Sequence, residues 1–173
     1  TGLSVVDVYF LLSATWLVMK TKGDLRDRAY RLSAPLLGAT LVAIVAVSVA
    51  TPFLEAQYWR RWFEWPNILF TAPIQRALAR AYEAEVRALA ARRVYPPFGL
   101  SLVLFGLTYA GLGVSIYPFV VPQSITIWQA AAPDNARAFM LVGVAVLVPV
   151  ILAYTGWAYW VFRGKVDPSS GYH

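Results

Sequence analysis

Apolar residues in this chain fall into long unbroken runs rather than the short alternations of half-buried soluble elements. The clearest run covers residues 139–162, FMLVGVAVLVPVILAYTGWAYWVF, 24 residues without a charge; about 20 apolar residues suffice to cross a bilayer as a helix. Trp157, Tyr159 and Trp160 cluster near its end, and Arg163 and Lys165 follow. Aromatic rings at headgroup level followed by cations describe a helix leaving the membrane on its cytoplasmic side. A first run covers residues 3–19 with Asp7 as its one charge, a second covers residues 34–54, and another covers residues 98–121. Small residues (Gly38, Ala43, Ala46, Ser48, Ala50; then Gly106, Gly111, Gly113) recur along these spans, and small side chains favour close helix contact in lipid. Pro52 is placed to end or kink the second span, Pro118 to bend the end of the next, and Pro149 to kink the last. The loop of residues 122–135 carries no cation, which suits the periplasmic side.

Residues 66–93 do not fit this pattern. The segment opens apolar at Pro66 (PNILFTAPI), then becomes RALARAYEAEVRALAARR and closes on Arg93. Its Ala, Leu, Arg and Glu favour helix strongly, while its hydropathy alone would not mark a span. The distribution of cations decides. If the segment crosses, Lys20, Lys22, Arg26, Arg28, Arg31, Arg87, Arg92, Arg93, Arg163 and Lys165 share one face and Arg60, Arg61 and Arg137 the other, ten against three. If it does not, both faces are heavily basic, against the positive-inside bias. The pattern therefore predicts an all-α integral membrane helical bundle of about five spans, four if residues 66–93 lie along the interface. Tyr58, Trp59, Trp62 and Trp65 then read as an interfacial aromatic belt.

Composition sharpens this picture. The chain of 173 residues is 59% hydrophobic and 14% charged, where soluble domains carry about 45–50% and 25%. The net charge of +6 comes from cations at the ends of apolar runs, so topology explains it better than nucleic acid does. Cysteine is absent, which excludes disulfides, thiolate metal sites and iron–sulfur ligation within the chain. The chain opens at Thr1 in an already apolar run, with neither a charged n-region nor a cleavage site, and reads as a fragment or a split subunit.

Several motifs occur in one order: WLVMKTKGDLRDRA at 16–29, WPNILFTAP at 65–73, SITIWQAAAP at 124–133, FMLVGVAVLVPVILAYTGWAYWVFRGKV at 139–166 and a terminal GYH. Together they resemble subunit II of cytochrome bd-type quinol oxidases, over nearly the whole chain and about the second half of the family's length. The resemblance implies a single transmembrane domain, residues 1–173, forming the C-terminal half of a longer subunit. It implies a bacterial cytoplasmic (inner) membrane location and partners in a haem-bearing subunit I, the missing N-terminal half, lipid and quinone. The function it implies is that of a non-haem subunit in a complex that oxidises quinol and reduces O₂ to water, with no catalytic residue of its own. Haem b and haem d are implied in the partner. Two departures from the family stand out. Its helix at 66–93 is usually far more apolar, and its loop usually has an acid where Gln129 stands, leaving Asp134 as the nearest acid.

The ligand inventory agrees with a subunit that binds no haem. Axial haem ligands are His, Met, Cys or Tyr. His173 is the one histidine and the last residue, and Met19 and Met140 lie near span ends, where packing is the simpler role. The candidate functional residues are the ionisable ones at membrane depth, because burying them in lipid is expensive. These are Asp7 and the set Arg76, Arg80 and Glu83, whose spacing of four and three places them on one helical face with Arg87. They would serve a proton or water path or a polar contact to the partner, with an Arg80–Glu83 pair offsetting part of the cost. The alternative reading, half of a repeat-built secondary transporter, would use the same stripe and the broken helix at Pro149 near the midplane.

Overall fold

A computed structural model describes residues 2–54, 63, 65, 68–121 and 124–164, with the side chains at 51–54 and 70 left aside. Its elements are α1 (Gly2–Lys20), α2 (Asp24–Leu54), α3 (Ile68–Ala90), α4 (Pro96–Ile116), β1 (Phe119–Val121), β2 (Ile125–Thr126), α5 (Ile127–Ala130) and α6 (Asp134–Val161). Four of these helices, α1, α2, α4 and α6, are long and apolar enough to cross a membrane. The protein is thus an all-α, multi-pass membrane bundle. The described residues divide into two units, those up to residue 115 and residues 116–164.

In the first unit α1 and α2 form a tight antiparallel hairpin. The basic stretch after α1 is not a long loop, because α2 starts ten residues before the apolar run, at Asp24. Asp24 and Asp27 occupy its first turn, where carboxylates complement the helix dipole. The turn itself closes at Gly23, at φ +63, a conformation glycine adopts without steric cost. The Arg26 guanidinium donates back to the Thr21 carbonyl. α3 then packs antiparallel to α2. It is 23 residues long, about 34 Å at 1.5 Å per residue, and it holds Pro73 within its helical span. Its C-terminus is closed by Arg93 N–H on Ala88 O (2.9 Å) and Arg92 N–H on Leu89 O (3.0 Å), with Arg92 at φ +49. That bond pair is a Schellman cap with arginine in the usual glycine place.

The core of this unit takes one residue from each of its four helices: Leu11, Leu37, Ala81 and Leu104. A second cluster, Val18, Ala29 and Tyr30 with Leu89 against it, lies toward the α1–α2 turn. Trp16 meets Phe98 edge-on at 5.0 Å, tying α1 to α4. Small residues do less than their pattern predicts. A Cβ added at Gly38, Gly106 or Gly113 would meet nothing within 4 Å, so these glycines do not mark close approaches within this chain.

In the second unit the expected helix through Val121 is replaced by a short hairpin. α4 ends at Ile116, before the Tyr117–Pro118 pair, and β1 pairs antiparallel with β2, Phe119 opposite Thr126 and Val121 opposite Ile125. Pro118 has no N–H to extend a helix; instead its carbonyl accepts from Ile127 N–H at 2.9 Å. Thr126 caps α5 in a reciprocal box: Gln129 N–H donates to Thr126 Oγ1 (3.3 Å) and Thr126 N–H donates to Gln129 Oε1 (2.9 Å). Glutamate could close the same box, so Gln129 preserves one structural role open to the acid of the family motif. α6 begins five residues before its apolar run and continues through Pro149. Within its own unit none of its residues is buried. Trp157, Trp160 and Arg163 stack near its end, the guanidinium 4.7 Å from the Trp160 ring.

Candidate functional site

The most enclosed polar residues lie in one layer of the first unit. Stepping from the Leu11–Leu37–Ala81–Leu104 core toward the α1–α2 turn, the next inward positions are Thr15, Ser33, Glu85 and Ser101. Each stands three or four residues from its core neighbour, hence one helical turn away. None is more than 1% exposed. Ser33 donates to Ala29 O at 2.8 Å, and Thr15 donates to Leu11 O at 2.9 Å. Thr15 Oγ1 and Ser101 Oγ stand 3.2 Å apart. Ser101 Oγ lies 2.5 Å from Glu85 Oε1 and 3.0 Å from Pro97 O. Glu85 Oε2 is buried with no hydrogen-bond partner among the described residues.

One further layer along, Tyr30 hydroxyl donates to Arg93 O at 2.8 Å. The Arg92 guanidinium sits 5.3 Å from the Tyr30 ring centre and 3.1 Å from Asp27 Oδ1. The end of α3 and the α1–α2 turn therefore lie at the same end of this unit. This places the cations of residues 20–31 beside those of 87–93, as the charge count requires of a crossing helix.

Of the residues singled out from sequence, Asp7 is half-buried, and its Oδ2 accepts from Thr40 Oγ1 at 2.7 Å. Asp7, Leu11 and Thr15 follow one another at four-residue steps on the same face of α1, so an apolar layer separates Asp7 from the polar one. Arg76, Arg80 and Glu83 share one face of α3, and that face is exposed within this chain. Glu83 pairs with Arg87 at 2.8 Å rather than with Arg80. No bond among the described residues joins these three to Asp7. His173, Lys165, Arg60, Arg61 and the aromatic residues 58, 59 and 62 lie outside the described residues; Trp65 is exposed.

Glu85 escaped the sequence reading, although a signal was present. Thr71, Leu78, Ala81, Glu85 and Ala88 recur at helical spacing on the uncharged face of α3. A carboxylate placed there is directed into protein, while the more conspicuous charges occupy the opposite face.

A family model for "Cytochrome bd terminal oxidase subunit II" matches residues 1–162. The chain belongs to this family. Among curated relatives, a "Probable cytochrome oxidase subunit 2" of Haemophilus influenzae is 29% identical, over 89% of this chain and 48% of its own length. The "Cytochrome bd ubiquinol oxidase subunit 2" of Bacillus subtilis is 22% identical, over 96% of this chain and 49% of its own. The "Cytochrome bd-I ubiquinol oxidase subunit 2" of Escherichia coli K12 is 37% identical over 31% of this chain and 16% of its own. The chain thus spans about half the length of the first two subunit II relatives it matches. Among its described residues, no group of three or more His, Cys, Asp or Glu is gathered as a metal site. Met19 is half-buried and Met140 exposed.

Proposed function

We propose that this chain is a non-haem membrane part of a bd-type terminal quinol oxidase in the bacterial cytoplasmic membrane. The complex oxidises quinol, passes the electrons to O₂ and forms water, taking the protons for that reduction from one side of the membrane. The observation that carries this reading is the family match along residues 1–162, joined to four helices long and apolar enough to cross a membrane. Haem b and haem d belong to the partner, subunit I: this chain offers one histidine, at its terminus, and no cysteine. Residues 1–173 form one transmembrane domain, the C-terminal half of a longer subunit II, and pack with the other half as well as with subunit I.

Within that assembly α3 crosses the membrane beside the other helices. Its 34 Å length spans a core of about 30 Å, and its inner face shares the Leu11–Leu37–Ala81–Leu104 core. Crossing puts Arg76 and Arg80 at depth, where a lipid-facing charge costs roughly 2.5–3.5 kcal/mol each on the insertion scale. Their exposed face therefore turns to the partner or to a water-filled path, and Asp7 with Thr40 supplies a second polar point on the same route. The test is genetic. Deleting the gene should lower quinol-dependent O₂ uptake by membranes, and restoring it should return that activity. Unchanged uptake in the deletion strain, with transport of a solute lost instead, would favour the carrier reading.

A further inference from the structure

The polar layer of Thr15, Ser33, Glu85 and Ser101 is not accounted for by packing. Bundle cores in lipid tolerate serine and threonine readily, because each hydroxyl can return its hydrogen to the preceding turn, as Thr15 and Ser33 do here. A glutamate cannot satisfy itself in that way. Glu85 is wholly buried, its Oε1 is engaged by Ser101, and its Oε2 has no partner among the described residues. A buried polar atom left unmade is costly.

Hydrogen inventory narrows the ligand. Thr15 and Ser101 own one hydroxyl hydrogen each. Together they make five close contacts, to Leu11 O, to Leu12 O, to each other, to Glu85 Oε1 and to Pro97 O. Neither has a hydrogen to spare for Oε2. An ionised Oε2 needs a donor and a protonated one needs an acceptor, and water serves both. A buried water needs two to four polar partners, and Ser33 stands at the same level of the layer as Glu85.

Depth sets the side from which the layer is reached. Thr15, Glu85 and Ser101 each lie five residues from the nearer end of their helices, at Lys20, Ala90 and Pro96, about 7.5 Å along the axis. The other ends are more than twice as far. In that direction the Leu11–Leu37–Ala81–Leu104 layer intervenes; toward the near end the Val18–Ala29–Tyr30 cluster does, with Ala88, Leu89 and Pro97, and Tyr30 carries a hydroxyl bonded to Arg93 O.

We propose that Thr15, Ser33, Glu85 and Ser101 form an internal proton-exchanging site. It holds one water at Glu85 Oε2 and exchanges with the membrane face where the α1–α2 turn and the end of α3 meet. Uptake moves a proton from hydronium to the Glu85 carboxylate and leaves water; release reverses the step. The ionisable groups nearest in register are Lys20 on α1, Arg26, Asp27 and Tyr30 on α2, Tyr82 one turn before Glu85 on α3 and packed against the core layer, Arg87 and Glu83 on the outer face of α3, and Arg92 just past its end. The inward positions of α4 near the layer, Pro97, Ser101 and Leu104, carry none.

Infrared difference spectroscopy on the intact protein, in the assembly purified from its native membrane, tests this. A pH step should yield the carbonyl-stretch band of a buried carboxylic acid. Heavy-oxygen water should shift a water O–H band seen in the same spectrum. Both bands should be lost in Glu85→Gln and kept in Glu83→Gln. Ser101→Ala, which keeps the carboxyl and removes its bonded hydroxyl, should shift the carbonyl band, and this second variant decides should Glu85→Gln fail to assemble. Spectra of Glu85→Gln that coincide with wild type, or an unshifted band in Ser101→Ala, would overturn the proposal. These readouts do not depend on oxidase activity.

Discussion

Arg92 shows how much a single residue carries at the basic end. It sits at φ +49, a left-handed conformation that costs an L-residue roughly 1–2 kcal/mol. In return its side chain reaches Asp27 and lies over Tyr30, joining the end of α3 to the start of α2. Both members of the ion pair are well exposed, so the pair is screened and adds little. The two contributions separate by substitution. Arg92→Ala keeps the Cβ in the strained region and loses both contacts; Arg92→Gly loses the contacts and relieves the backbone. Thermal unfolding of the purified protein should rank the glycine variant above the alanine variant by about 1 kcal/mol. Equal stabilities would mean that the cap does not hold its positive φ in the native membrane. At this scale the sequence was least informative. The short string YEAEV alone does not separate Glu83, which pairs on the surface with Arg87, from Glu85, which is enclosed; only the longer run of uncharged positions at helical spacing marks the face of Glu85.

Among the elements, α3 holds the interest. Hydropathy made α1 and α6 legible to within a few residues, because an uncharged run in lipid has few alternatives to helix. The start of α2 and the end of α4 were less legible: aspartates extended one helix into a basic loop, and Pro118 stopped the other short of its apolar run. α3 was legible as a helix from its Ala, Leu, Arg and Glu; its crossing is a proposal from the placement of cations, which the Tyr30–Arg93 bond and Asp27–Arg92 pair support by setting the end of α3 beside the start of α2. With no native cysteine, topology is directly measurable by single-cysteine labelling with an impermeant reagent. Positions 24 and 93 should react only after the membrane is opened, and position 129 from outside the intact cell. Labelling of position 93 but not 24 from outside would mean that α3 does not cross. The outward arginines make a second test. If their face meets the partner or water at depth, Arg80→Leu should weaken co-purification or slow quinol oxidation several-fold. Wild-type values in both would place α3 on the membrane surface.

At the scale of the whole molecule, the family and the membrane bundle follow from different evidence and agree. The chain spans about half of the first two subunit II relatives it matches, and the proposed function makes it one part of an assembly. The central claim of the proposed function is that this assembly includes a haem-bearing subunit, and purification through a tag on this chain from its native membrane tests it most directly. The account predicts a complex with b- and d-type haem absorption, whose haem stays with the partner when the subunits are separated. A tagged chain that purifies free of haem-bearing protein, or that retains stoichiometric haem after separation, would contradict it.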